Sequence, residues 1–85
     1  MTRQQRHDLI VLGEAVREIR AQRHFSASDL AKASGVPLRR LTALEDGWLD
    51  PDIKMLHKLA MSMGIRRAAF FRRAEELEAD VGRET

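Results

Sequence analysis

Eighty-five residues with 15 Lys and Arg against 13 Asp and Glu, a formal charge of +2 and no cysteine amount to one small domain that must be held by packing alone. Without cysteine neither a disulfide framework nor a thiolate metal site can form, which fits a reducing, cytoplasmic setting. The longest apolar run, Leu9 to Leu12, is far too short for a bilayer, and Met1-Thr2-Arg3 is not followed by the apolar stretch of a signal peptide, so a soluble protein with no membrane contact is expected.

Residues 1–8 read as a flexible basic arm carrying Arg3, Arg6 and His7. Helix one is expected from about Leu9 to Arg23, because Leu9, Leu12, Val16 and Ile19 recur at helical spacing with Ala15 beside them. Ser26 followed by Asp29 is a capping-box pattern. It opens helix two, about 27–34, whose inner side is Leu30, Ala31 and Ala33. Gly35 then turns the chain, since it takes φ > 0 without a Cβ clash.

Pro37 suits the start of helix three, about 37–46. Leu41 and Leu44 fall on its inner face above Val36, leaving Arg39, Arg40, Thr42 and Ala43 on the others. Gly47 ends this helix and Pro51 prevents its continuation. Asp52 is placed to cap helix four, whose expected buried side is Ile53, Leu56, Leu59, Ala60 and Met63, with Gly64 closing it. Helix five runs from about Arg67 to Ala79 with Phe70, Phe71, Ala74 and Leu77. Arg66 stands where a serine or aspartate cap is expected, so its start is weakly held. Residues 80–85 read as a frayed acidic tail, which leaves 9–79 as the domain. The fold class is all-α, with no strands.

Residues 26–47, SASDLAKASGVPLRRLTALEDG, resemble the helix-turn-helix of the Cro and phage-repressor (Xre-like) family of DNA-binding domains. Leu12 to Arg20 is similar to that family's first helix and Pro51 to Ile65 to its fourth, so the resemblance covers residues 9 to about 77. It implies a compact five-helix repressor-like domain whose helix-turn-helix is formed by helices two and three. The implied function is that of a sequence-specific, double-stranded DNA-binding transcriptional regulator. The expected form is a repressor, acting as a homodimer with helix 37–46 in the major groove.

By the same resemblance Leu38, Arg39 and Ala43 are the base-contacting residues, while Pro37, Arg40 and Thr42 lie nearer the phosphates. Arg39 can give two hydrogen bonds to guanine O6 and N7, and Leu38 and Ala43 can touch a thymine methyl. Arg40 anchors phosphate without reading sequence. Arg23, His24 and the backbone N–H groups at Ala27 add to that grip. Many relatives carry a bracing glutamine where Ala27 stands, so the side-chain contact is missing. The resemblance also pairs Arg20 with Glu45 in a largely buried ion pair tying helix one to the end of helix three.

The loop after helix three departs from the family's polar or basic pattern. It reads Asp46-Gly47-Trp48-Leu49-Asp50, and its carboxylates would repel phosphate. Trp48 and Leu49 either fold back over helix four as core cover or form a protein contact. Phe70 and Phe71 point about 100° apart on a helix. Both pack within the domain, or one closes the core while the other, with Ala74 and Leu77, forms a dimer contact that spaces two recognition helices about 34 Å apart. Arg72 and Arg73 with Glu75, Glu76 and Glu78 read as a solvated face with i,i+3 and i,i+4 pairs.

Histidines 7, 24 and 57 are not at metal-ligand spacing. There is no Gly-rich phosphate loop and no readable triad. No metal, cofactor, small-molecule ligand or enzymatic activity is therefore expected. The alternative to a DNA-reading regulator is an antitoxin-like or scaffold protein that uses the fold and the Trp48-Leu49 loop to bind a protein partner.

Overall fold

The computed structural model describes residues 1–84, with side chains through Asp80. Five helices follow one another: α1 (Arg3–Gln22), α2 (Ala27–Ser34), α3 (Leu38–Glu45), α4 (Ile53–Met63) and α5 (Ala68–Glu84). There is no strand among the described residues.

Most of the expected arm is helix. Thr2 Oγ1 accepts from the Gln5 N–H at 3.1 Å and Gln5 Oε1 accepts from the Thr2 N–H at 2.8 Å, a reciprocal capping box that starts α1 at Arg3. The helix then buries Leu9, Leu12, Ala15, Val16 and Ile19 as expected, with Val11 besides. At the other end, α5 continues past Ala79 to Glu84. Of the expected frayed tail, the side chains of 81–85 lie outside the described residues.

The helix-turn-helix is built by local signals. Ser26 Oγ accepts from the Asp29 N–H at 3.0 Å, one half of the capping-box exchange. Gly35 takes φ 77° and gives its N–H to Ala31 O at 3.0 Å, a left-handed helix end. Pro37 is the N-cap of α3 rather than its first helical residue. Its carbonyl accepts from the Arg40 and Leu41 N–H groups at 2.9 and 3.1 Å. Leu30, Val36, Leu41 and Leu44 are buried beneath the turn, so both helices are fixed to one core.

Asp52 caps α4 as expected, its Oδ1 accepting the Met55 N–H at 2.7 Å. The buried stripe is Met55, Leu56, Leu59, Ala60 and Met63. Ile53, expected inside, is 70% exposed: at 3.6 residues per turn it lies roughly 90° from the centre of that stripe. On α5 the two phenylalanines separate. Phe70 is fully buried in the common core, which removes it from the expected dimer or partner contacts, while Phe71 stands 47% exposed. The helix opens on backbone bonds, Ala69 N–H to Arg66 O at 3.0 Å and Phe70 N–H to Arg67 O at 3.1 Å.

Candidate nucleic-acid interface

Because Leu41, Leu44 and Glu45 turn inward, the rest of α3 is presented to solvent. Leu38, Arg39, Arg40 and Thr42 are exposed, as is Pro37, whereas Ala43 is half-buried. Arg23 and His24 are exposed at the turn before α2. His24 takes the left-handed φ of 63°, its N–H reaching Ala21 O at 3.0 Å and the Phe25 N–H reaching Arg20 O at 3.1 Å. Ala27 is half-buried with its methyl against the core, at the first turn of α2.

Two arginines of α1 set the height of α3 through ion pairs at its C-terminal end. Arg20 Nε donates to Glu45 Oε2 at 2.7 Å and Nη2 to Oε1 at 3.0 Å, while Nη1 donates to Phe25 O at 2.8 Å. The bond to Glu45 raises the Arg20 pKa above its ordinary value, against burial that lowers it. Arg17 Nη2 reaches Asp46 Oδ1 at 2.7 Å and its Nε stands 3.6 Å from Glu45. Asp46, expected to repel phosphate, is thereby paired with Arg17 while staying about half exposed.

Arg17 and Arg20 are engaged as described, and Arg73 bonds Glu18 at 2.6 Å and Glu76 at 2.9 Å. Among the described residues Arg39, Arg40, Lys54 and Lys58 take part in no ion pair, which is also true of Arg3, Arg6, Arg23, Lys32, Arg66, Arg67 and Arg72; the first four are set apart by lying on or beside α3. Arg40, Lys54 and Lys58 line one cleft of about 260 Å³ with Gly35, Val36 and Pro37. Asp52 is also there, its Oδ1 occupied by the Met55 N–H. Sequence reasoning missed both lysines. Their i,i+4 spacing on the side of helix four away from Leu56 and Leu59 was the available signal.

The loop after α3 divides. Leu49 packs against the core. Trp48 does not cover α4: it is 66% exposed, and the Arg6 guanidinium lies over its ring, 3.6 Å from the centroid. Asp50 lines a separate groove between α1 and α5, together with Phe71 and Ala74. Leu77 is half-buried. His7 Nε2 stands 3.5 Å from Glu78, with Asp8 beside them, all three exposed. No helix among the described residues is long and apolar enough to cross a membrane.

An exposed second helix, docked on the first across a glycine turn and carrying Arg39 and Arg40, defines a helix-turn-helix protein. A family model described as helix-turn-helix matches residues 16–70, and the chain belongs to that Cro- and phage-repressor-type family. Among solved structures it is similar to the restriction-modification controller protein C.AhdI from Aeromonas hydrophila. The two are 27% identical with a TM-score of 0.72, over 74% of this chain and 96% of that one. It is also similar to the clp gene regulator ClgR from Corynebacterium glutamicum, seen in two structures. One is 28% identical, TM-score 0.75, over 81% of this chain and 90% of that one. The other is 26% identical, TM-score 0.75, over 89% and 87%. Among curated proteins none matches. The family and these neighbours make the chain a DNA-binding transcriptional regulator, a class whose members are not typically enzymes.

Proposed function

We propose that the chain is a sequence-specific repressor that works in the cytoplasm as a homodimer, each copy inserting α3 into the major groove of double-stranded DNA. The observation that carries this reading is the set of unpaired cations around α3, Arg39 and Arg40 on the helix and Lys54 and Lys58 across the cleft. Arg20 on α1 and Arg73 on α5 are bound to carboxylates, whereas Arg3 and Arg6 on α1 and Arg72 on α5 are unpaired among the described residues, so it is position on and beside α3 that singles out this set. Arg39 reads a guanine edge, with Leu38 and Ala43 toward neighbouring bases. Pro37, Arg40 and Thr42, with Arg23 and His24 at the turn before α2, lie along the phosphates.

The two-fold contact is proposed on α4 instead of α5. Phe70 is inside, Ala74 and Leu77 are half-buried, and Phe71 stands among carboxylates. Ile53 and Met61 are the exposed apolar side chains of α4, and a two-fold contact there has to place two recognition helices about 34 Å apart. The test is titration of labelled DNA from upstream of the chain's own gene at two salt concentrations, with sedimentation of the free protein and of a Met61→Glu variant. Binding that weakens steeply with salt, by a dimer that Met61→Glu dissociates, supports the reading. Salt-insensitive or absent binding by folded protein contradicts it.

The exposure of Trp48 favours a second reading, an antitoxin-like or scaffold protein that binds a protein partner through the Trp48-Leu49 loop. Leu49 faces the core, so this contact would rest on the Trp48 ring. A partner captured in a Trp48-dependent way by a chain that binds no DNA would favour it.

A further inference from the structure

We infer that the groove between α1 and α5 is a docking site for a basic amphipathic helix of another protein. The inference stands independently of the DNA reading, since no residue of α3 lines the groove.

The groove has a volume of about 670 Å³, and its floor is apolar: Leu9 and Leu12 from α1, Phe71 and Ala74 from α5. Phe71 keeps about half of its surface in water although its neighbour Phe70 is completely enclosed. Among the described residues the charged side chains around this floor are all carboxylates: Asp8 on α1, Asp50 on the loop, Glu75 and Glu78 on α5. This is unusual on a chain whose Lys and Arg outnumber its Asp and Glu. The partners within the chain satisfy them only in part. Asp8 accepts from the Gln4 side chain at 2.9 Å and Glu78 stands 3.5 Å from His7, while Asp50 and Glu75 form no ion pair among the described residues.

Charge decides the occupant. Nucleic acid and anionic lipid are repelled by four carboxylates, and a second copy of this chain would press one acidic rim against another. A segment with Lys or Arg beside apolar anchors meets both requirements. The walls are two helices and the floor is a run of apolar side chains, the arrangement in which a partner helix lays its i, i+3, i+4 face into a groove with its cations toward the rim.

The experiment uses the full chain and a fluorescently labelled helical peptide of leucine and lysine, with a leucine and glutamate peptide of the same pattern for comparison. Anisotropy should show saturable binding of the lysine peptide only. Glu75→Lys and Phe71→Ala should each weaken it by about tenfold or more. Glu14→Lys, an exposed carboxylate on α1 outside the groove, should leave it within about twofold. All three residues are exposed, and unchanged melting curves check that the variants fold. Equal binding of the glutamate peptide, or equal weakening by Glu14→Lys and Glu75→Lys, overturns the proposal. So does self-association that buries Phe71 and blocks the peptide, because the occupant would then be a second copy.

Discussion

Arg20 and Glu45 are joined through both carboxylate oxygens, at 2.7 and 3.0 Å, and the third arm of the Arg20 guanidinium closes on Phe25 O at 2.8 Å. One side chain therefore ties α1 both to the end of α3 and to the turn before α2. With the Glu45 side chain 4% exposed, losing Arg20 leaves a buried carboxylate whose remaining cation is Arg17, 3.6 Å away and itself half-exposed. Arg20→Ala should lower stability by about 3 kcal/mol, a fall in Tm on the order of 12 °C or more for a domain of this size. Arg20→Lys should recover only part of it, because an ammonium cannot reproduce the planar fork. Thermal melts of both variants check this; an unchanged Tm in Arg20→Ala would mean that the pair is incidental.

Gly13 sits where α1 crosses the last turn of α3. A Cβ there would meet the Leu44 carbonyl oxygen and lie 2.7 Å from that of Glu45. Both are backbone atoms that move only with the helix, so Gly13→Ala should destabilise by about 1–3 kcal/mol. That is the reverse of the gain usually expected from alanine in a helix. Denaturant titration reads the sign directly, and a stabilised Gly13→Ala would show that the two helices can part without loss.

Arg6 holds the first turns of α1 against the loop. Its guanidinium stacks on Trp48, but its Nη1 is buried with no hydrogen-bond acceptor among the described residues, so the stacking gain is offset. Arg6→Ala should change global stability by less than about 1 kcal/mol while speeding amide exchange over residues 3–10. Arg3→Ala, on an exposed side chain, should not. Equal exchange in the two variants would remove Arg6 from that role.

The parts of the fold legible in the sequence were those written in local chemistry. Ser26, Gly35, Asp52 and Gly64 sit at the ends of α2 and α4, where side-chain acceptors and left-handed turns leave little choice. Thr2 and Gln5 carried the same kind of signal, and the basic composition around them read as an arm instead. Of the pairings made by tertiary placement, Arg20 with Glu45 was expected through the family resemblance and is formed; the others were not legible. Nothing near Arg6 in the chain announces Trp48, and the proximity of Lys54 and Lys58 to Arg40 arises only when α4 packs beside α2. Ile53 and Met55 lie close together along the helix, and the first turn of α4 decides which of them is covered.

If Lys54 and Lys58 reach phosphates beside Arg40, each alanine substitution should reduce the slope of log K against log salt by about 0.9 and weaken all sequences alike. Melting curves separate this from misfolding. A lysine whose removal leaves the salt slope intact lies off the DNA.

The most direct test of the central claim, that α3 reads bases through Arg39, is binding to a bound site in which each base pair is replaced in turn. Wild-type protein should discriminate by about 1–3 kcal/mol at one G·C pair, and Arg39→Ala should flatten that position alone while the others keep their preferences. An unchanged preference profile in folded Arg39→Ala would contradict the account.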